Sequence, residues 1–274
     1  MSQKITLKGE QIMPSLVSII MPSYNTGRYI ENSIKSVLAQ TYKEWELLIV
    51  DDCSKDDTDR IIAPYLEDKR IHYLKNEKNM GAALSRNRAI RVAKGKYIAF
   101  LDSDDIWEAH KLEKQIQFMR KNNYAFSFTD FTIRVNGKLL PYVYTGPNVV
   151  GKIKMINYCY IFTSTVMYNR EKVGEIQIED LKKNNDYAMW LLIVKKFPCY
   201  RLAESLACYN KHENSISSGS KLKLIKYHYI LFNKGMKKNK LISVLLTLNN
   251  LFWGVIQKFT HRRKLTESEQ REFK

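Results

Sequence analysis

From residue 16 to residue 121 the chain alternates short, largely apolar runs with segments whose apolar residues recur every three or four positions. The runs are 16–21 (LVSIIM), 45–50 (WELLIV), 71–74 and 97–101 (YIAFL). The first is short, apolar and β-branched and reads as a buried strand, and the other three read as strands of the same series. Between them, Ile30, Ile34, Val37 and Leu38 fall at helical spacing, and Leu112, Ile116 and Met119 mark a further helix. Residues 57–67 read as a helix kinked or ended at Pro64, and 82–94 as a helix closed by Gly95. Four apolar strands alternating with helices specify an α/β fold: an open, mostly parallel sheet with helices on both faces.

Sheets of this kind bind ligands outside the carboxyl ends of their strands. The residues just after three of the runs are therefore the informative ones. They are Pro22-Ser23-Tyr24-Asn25, Asp51-Asp52 and Asp102-Ser103-Asp104-Asp105. Carboxylates packed as closely as those at 102–105 repel one another unless a cation neutralises them. Carboxylate oxygens suit Mg²⁺ or Mn²⁺, and a departing diphosphate needs such a cation to absorb its charge. Asp102 and Asp104 fit that task. The competing structural reading makes Asp104 or Asp105 a cap for the helix that follows.

After Asn123 the alternation decays. Strands are expected over 124–128, 131–135 and 163–168, and a helix over 181–197 with an apolar second half. The run SISSGS at 215–220 is a natural boundary, followed by helices over about 221–232 and 240–259. The second of these is apolar around most of its circumference. Lys237, Lys238 and Lys240 precede it; Lys258, Arg262, Arg263 and Lys264 follow. Asn249, Asn250 and Gln257 interrupt it, so it makes a poor spanning helix. It reads as an interfacial helix on an anionic membrane, or as a helix packed on the domain or on a second copy in a homo-oligomer.

Composition bears on the partners. Of the net charge of +17, the segment from Lys211 onward carries 14 Lys and Arg against 4 Asp and Glu. A basic tail implies an anionic partner or a solvated lysine-rich surface. The acidic strand ends would repel nucleic-acid phosphates, so no nucleic-acid partner is expected. Cys53, Cys159, Cys199 and Cys208 show no paired-cysteine spacing and read as reduced thiols of an intracellular protein. The N-terminal residues show neither a signal peptide nor a spanning segment.

The texts VSIIMPSYNTGRYIENSIKSVLAQTY, ELLIVDDCSKDDT and NMGAALSRNRAIRVAKGKYIAFLDSDD fall in order at these strand ends. In them, and more weakly in NNDYAMWL and YNKHENSIS, the chain resembles the family 2 inverting glycosyltransferases of the GT-A fold. The resemblance spans roughly residues 16–218 and is most specific in its N-terminal half. It implies a catalytic domain at 14–218, with a nucleotide-sugar half at 14–105 and an acceptor half at 106–218. A basic amphipathic helical appendage at 219–274 would follow.

The roles that the resemblance implies are these. Pro22 and Tyr24 line the nucleotide base, and Asp51 accepts a hydrogen bond from it, which favours a UDP-sugar; Asp52 instead holds its loop or caps the next turn. Asn79 and Gly81 bring backbone close to the nucleotide. Arg86 approaches the base or diphosphate, or salt-bridges the acidic loops. Asp102 contacts ribose or metal, Ser103 lies beside it on the donor side, and Asp104 is the main ligand of Mn²⁺ or Mg²⁺. Asp186 is the general base, or else an N-cap. Asn185 stands where relatives carry glutamate, and Asn210 where they often carry arginine. Lys211 would supply the missing charge, and His212 would complete the metal or diphosphate site or be purely structural. The implied acceptor is a saccharide, most naturally a lipid-linked intermediate of a bacterial surface polysaccharide. The expected location is the inner face of the cell membrane.

Overall fold

The computed structural model describes residues 6–7, 10–11, 15–212, 221–257 and 260–272. The boundary expected at 215–220 and Lys258 lie outside these residues. A small antiparallel pair, β1 (Thr6–Leu7) and β2 (Glu10–Gln11), precedes the main sheet. The four apolar runs form β3 (Val17–Ser23), β4 (Trp45–Asp51), β5 (Ile71–Lys75) and β6 (Tyr97–Phe100). They pair in parallel in the order β5-β4-β3-β6, with Ile19 level with both Leu47 and Ala99. Alternate residues of each strand feed opposite cores, as a period of two requires. Ile20, Leu48, Val50, Ile98 and Phe100 meet α3 (Ala82–Val92) on one face. Ile19, Leu47, Ile49 and Ala99 meet α1 (Ile30–Leu38) and α4 (Lys111–Lys121) on the other.

Beyond β6 the sheet is mixed rather than parallel. β7 (Ile106–Trp107), β8 (Phe126–Val135), β9 (Lys138–Tyr144), β10 (Val149–Val150), β11 (Met167–Asn169) and β12 (Cys199–Lys211) continue it. β11 lies antiparallel between β6 and β8, and β8 runs parallel to β12. The two strands expected over 124–135 are one, β8. Of the strand expected over 163–168, the first half is a tight turn, Thr163–Thr165. Residues 58–67 form α2 (Thr58–Ile62) and a 3-10 turn that begins beside Pro64.

Two short helices, α5 (Lys152–Asn157) and α6 (Arg170–Val173), flank β11 in sequence. α7 (Asn185–Ile193) begins four residues later than periodicity alone predicts. The reason is Asn184, whose left-handed backbone (φ 59°) breaks the helical path. α8 (Lys221–Ile230) passes through a wide turn into α9 (Lys240–Gln257). Leu231 and Phe232 of that turn are buried in the same core as Phe100 and Trp190. β13 (Arg262–Lys264) then pairs with β9, and α10 (Glu267–Glu272) follows.

Gly95 does not close α3 in a left-handed cap, since the helix ends at Val92. Its lack of a side chain serves a close approach instead: a Cβ there would lie 2.5 Å from the Ser18 nitrogen.

Lys111 opens α4 with a fully buried side chain. Its amine lies 3.7 Å from the centre of the Trp107 ring and has no hydrogen-bond partner among the described residues. Burial drives its pKa well below the ordinary lysine value, which disfavours the charged form of the amine over the ring. Lys111→Met keeps the apolar stem and removes the unmet amine. It is expected to raise stability at pH 7 by about 1 kcal/mol. The folded amine holds its proton less tightly than the unfolded one, so the wild type gains stability as pH rises toward the ordinary lysine value of about 10.4. Urea denaturation from pH 7 to 10 should therefore show the variant's margin narrowing with pH.

Candidate active site

From β3 the chain steps outward to β4 and β5, then returns to lay β6 on the other side of β3. The carboxyl ends of β3 and β6 thus flank a topological switch point, where α/β sheets open a crevice. The loops after β3 and β4 are laced together over it. The Asn25 amide donates to Ser54 Oγ at 2.9 Å, and the Lys55 amide donates to Asn25 Oδ1 at 2.8 Å. The Gly27 amide donates to Asp56 Oδ2 at 3.0 Å. Tyr24 stands at this rim with about half its surface exposed.

Asp51 and Asp52 point opposite ways, as adjacent strand-end residues must. Asp51 is buried and accepts the Ser54 amide at 3.2 Å. Asp52 accepts from Asn76 Nδ2 (2.7 Å), the Met80 amide (2.8 Å) and the Gly81 amide (2.7 Å). One carboxylate therefore shapes the whole 76–81 turn, in which Asn79 is exposed and Gly81 takes φ 88°.

The acidic turn after β6 is divided among three partners. Asp102 accepts from Arg86 Nη2 at 2.5 Å. Asp104 Oδ2 lies 2.9 Å from His212 Nε2, and the His212 ring stacks on Tyr29 with centroids 4.5 Å apart. Asp105 caps no helix. It is fully buried and accepts from Ser164 Oγ (2.5 Å) and the Asn210 amide (3.2 Å). Burial, then the charges of Asp104 and Asp102, push its carboxyl well above the usual range. Asp104 is raised by burial and by Asp102, against the pull of His212. Ser103 is buried between them.

Arg86 projects from α3 and bridges the two sides of the crevice. Nη2 reaches Asp102, and Nη1 donates to Asn185 Oδ1 at 3.0 Å. Burial opposes its charge, but Asp102, Asp186 and Asp104 outweigh it and raise its pKa. Asp186, in the first turn of α7, accepts the Thr163 hydroxyl at 2.7 Å. Asn210 Nδ2 donates to the Asp104 carbonyl at 2.6 Å, so this amide braces the acidic turn. Lys211 is exposed at the end of β12.

Asp105, Tyr29, Thr163 and Ser164 enter the site without having been singled out in the sequence for these contacts. The hydroxyl triplet Thr163-Ser164-Thr165, set inside an otherwise apolar run, was the available signal. A cavity of about 590 Å³ opens elsewhere, beside Lys94, Gly95 and Arg170, and holds none of these residues.

The family model for glycosyl transferase family 2 matches residues 18–187. The chain belongs to that family. It is 44% identical over 206 residues to TuaG of Bacillus subtilis, a glycosyltransferase named for teichuronic acid biosynthesis, covering 74% of this chain and 82% of TuaG. It is 39% identical over 242 residues to WfgD of Escherichia coli, covering 88% of this chain and 94% of the relative. WfgD is named as the UDP-Glc:alpha-D-GlcNAc-diphosphoundecaprenol beta-1,3-glucosyltransferase. Among solved structures, Staphylococcus aureus TarS 1–349 in complex with UDP-GlcNAc aligns with a TM-score of 0.69 at 21% identity, covering 94% of this chain and 78% of that one. The fold is therefore GT-A and the protein is a glycosyltransferase.

The metal set expected from the sequence is not assembled as a trio. Among the described residues no three His, Cys, Asp or Glu side chains gather as a metal-holding group. Asp102 is drawn away to Arg86, which leaves Asp104 and His212 as the pair. A carboxylate beside an imidazole suits Mn²⁺ in donor type. The burial and like charge that raise the Asp104 carboxyl pKa are strains that a cation would relieve.

Asp52→Ala removes three hydrogen bonds at once from a buried carboxylate. A loss of about 2–4 kcal/mol in urea denaturation is expected. Hydrogen exchange should speed up most at the Met80 and Gly81 amides.

Proposed function

We propose that the protein transfers a sugar from a UDP-sugar to a saccharide hydroxyl of a lipid-linked intermediate in surface-polysaccharide synthesis, with inversion. The acceptor oxygen bonds to the anomeric carbon as the bond to the diphosphate oxygen breaks. Asp186 takes the hydroxyl proton, and UDP leaves with the bonding electron pair. Pro22, Tyr24 and Asp51 hold the base, and the Asn79–Gly81 turn lies along the nucleotide. Ser103, Arg86 and Lys211 serve the donor's ribose and diphosphate. Asp104 with His212, helped by Asp102 when it turns from Arg86, would hold Mn²⁺ or Mg²⁺. Such an ion supplies positive charge for the departing diphosphate.

One contact carries the reading. Arg86 hydrogen-bonds Asp102 and Asn185 together, so the acidic turn and the helix start that bears Asp186 meet at one buried guanidinium. WfgD, named for a UDP-glucose donor and a diphosphoundecaprenol-linked acceptor, supports the substrate class. Calorimetry of UDP, with GDP as control and with and without Mn²⁺, tests the donor side. Asp186→Asn should keep UDP binding while transfer falls about 10²–10⁴-fold. Undiminished transfer in that variant would remove Asp186 as the base.

The same reading puts the protein on the inner membrane surface, acting as a peripheral enzyme. Leu241, Leu245, Leu248, Phe252 and Val255 form one stripe along α9, each more than half exposed. Lys237, Lys238 and Lys240 lie at one end, and Arg262 and Lys264 beyond the other. By length and composition α9 could also span a bilayer, with only 17% of its apolar window buried. Its polar side, however, is packed on the domain, which favours lying along the interface. Full-length protein should float with anionic vesicles at low salt. Leu245→Glu with Phe252→Glu should abolish flotation without changing UDP binding.

A further inference from the structure

α9 is built with reversed polarity for a helix packed on a globular domain. Its apolar stripe faces outward, and the opposite stripe, Ser243, Thr247 and Asn250, is buried. Asn250 Nδ2 donates to the Tyr187 hydroxyl at 2.7 Å and to the Ile156 carbonyl at 3.0 Å. Asn249 Nδ2 donates to Asn157 Oδ1 at 2.9 Å. The helix is thus fastened to α5 and to the residue that follows Asp186.

Between these elements lies a cavity of about 260 Å³. Tyr158, Cys159, Asn184, Asp186, His228 and Asn250 are among its walls. Two of them are unusual. Asn184 holds a left-handed backbone, and its amide nitrogen is buried with no hydrogen-bond partner among the described residues. Such a group costs stability unless a ligand meets it, and backbone strain of this kind collects at binding sites. His228 Nδ1 lies 2.9 Å from the Leu224 carbonyl, so that nitrogen carries the proton and Nε2 remains an acceptor. Burial lowers the His228 pKa, which keeps the ring neutral. An aromatic wall, an unmet donor, a neutral acceptor and a carboxylate around a small cavity match a sugar ring with several hydroxyls.

We infer that this cavity, walled by α7, α8 and α9, is the acceptor subsite and takes the terminal sugar of a diphospholipid-linked saccharide. The inference rests on the transfer reading, because it needs Asp186 to face the acceptor hydroxyl. One helix then does two things. Its inner face closes the subsite, and its outer face lies in the lipid that anchors the acceptor. A saccharide held at the membrane by its lipid reaches Asp186 while the enzyme stays seated.

The test uses full-length protein, UDP-glucose and a water-soluble phenoxyundecyl-diphosphate-N-acetylglucosamine. Asn184→Gly removes the unmet amide, and glycine tolerates the positive φ. His228→Ala removes the acceptor without touching the core. Each should raise the acceptor KM about tenfold, the loss of one or two hydrogen bonds. kcat at saturating acceptor and calorimetric UDP affinity should hold. Acceptor KM unchanged in both variants overturns the subsite, as does a fall in UDP affinity matching the rise in acceptor KM. A wild type that binds UDP yet transfers nothing to this acceptor overturns the saccharide class assigned to the cavity. A wild type that binds no UDP sinks the transfer reading itself.

Discussion

Asp102, Asp104, Asp105 and Asp186 crowd around the end of one sheet, with one buried guanidinium between them. Mutual repulsion and desolvation would keep such carboxylates apart or neutral. Arg86 holds Asp102 by a short ion pair and Asn185 by its other arm, and its charge is sustained by Asp186 and Asp104. Asp105 is handled differently: with its pKa raised far up, it acts as a buried strut between Ser164 and Asn210. One acidic motif thus yields a member paired with arginine, a member paired with histidine and a member spent on structure.

The sheet makes this arrangement possible. Because β6 returns to the far side of β3, the two ends that carry Tyr24 and Asp102 open beside each other. The mixed half then brings β12 back in parallel with β8, delivering Asn210 and His212 to the same mouth. The two amides that the resemblance sets apart, Asn185 and Asn210, both find partners in this geometry. Asn185 accepts from Arg86, and Asn210 supports the Asp104 carbonyl. Both amides are used as hydrogen-bonding braces of the acidic turn and its guanidinium.

The C-terminal helices are bound into the domain through two kinds of contact. Leu231 and Phe232 join the main core, whereas α9 packs only Leu246 against it and is otherwise held by amide hydrogen bonds. A polar attachment leaves the apolar stripe available to a lipid surface, and it also gives the cavity beside Asp186 a hydrogen-bonding wall. In the proposed reading, membrane seating and acceptor recognition are two faces of one helix.

The sequence by itself determined the four parallel strands, the two-sided burial of β3, β4 and β6, and the positions of the strand-end residues. These are local properties: apolar period and run length are written in neighbouring residues, and strand-end residues face the ligand crevice once the sheet forms. Tertiary structure decided which carboxylate meets which partner. Arg86 joins residues 16 and 99 positions away, and Asn210 reaches back 106 positions to Asp104. It also decided that Asn184 breaks the helix before Asp186, and that α9 turns its polar stripe inward. Polar pairing depends on distances between elements remote in sequence, and no periodicity along the chain encodes those distances.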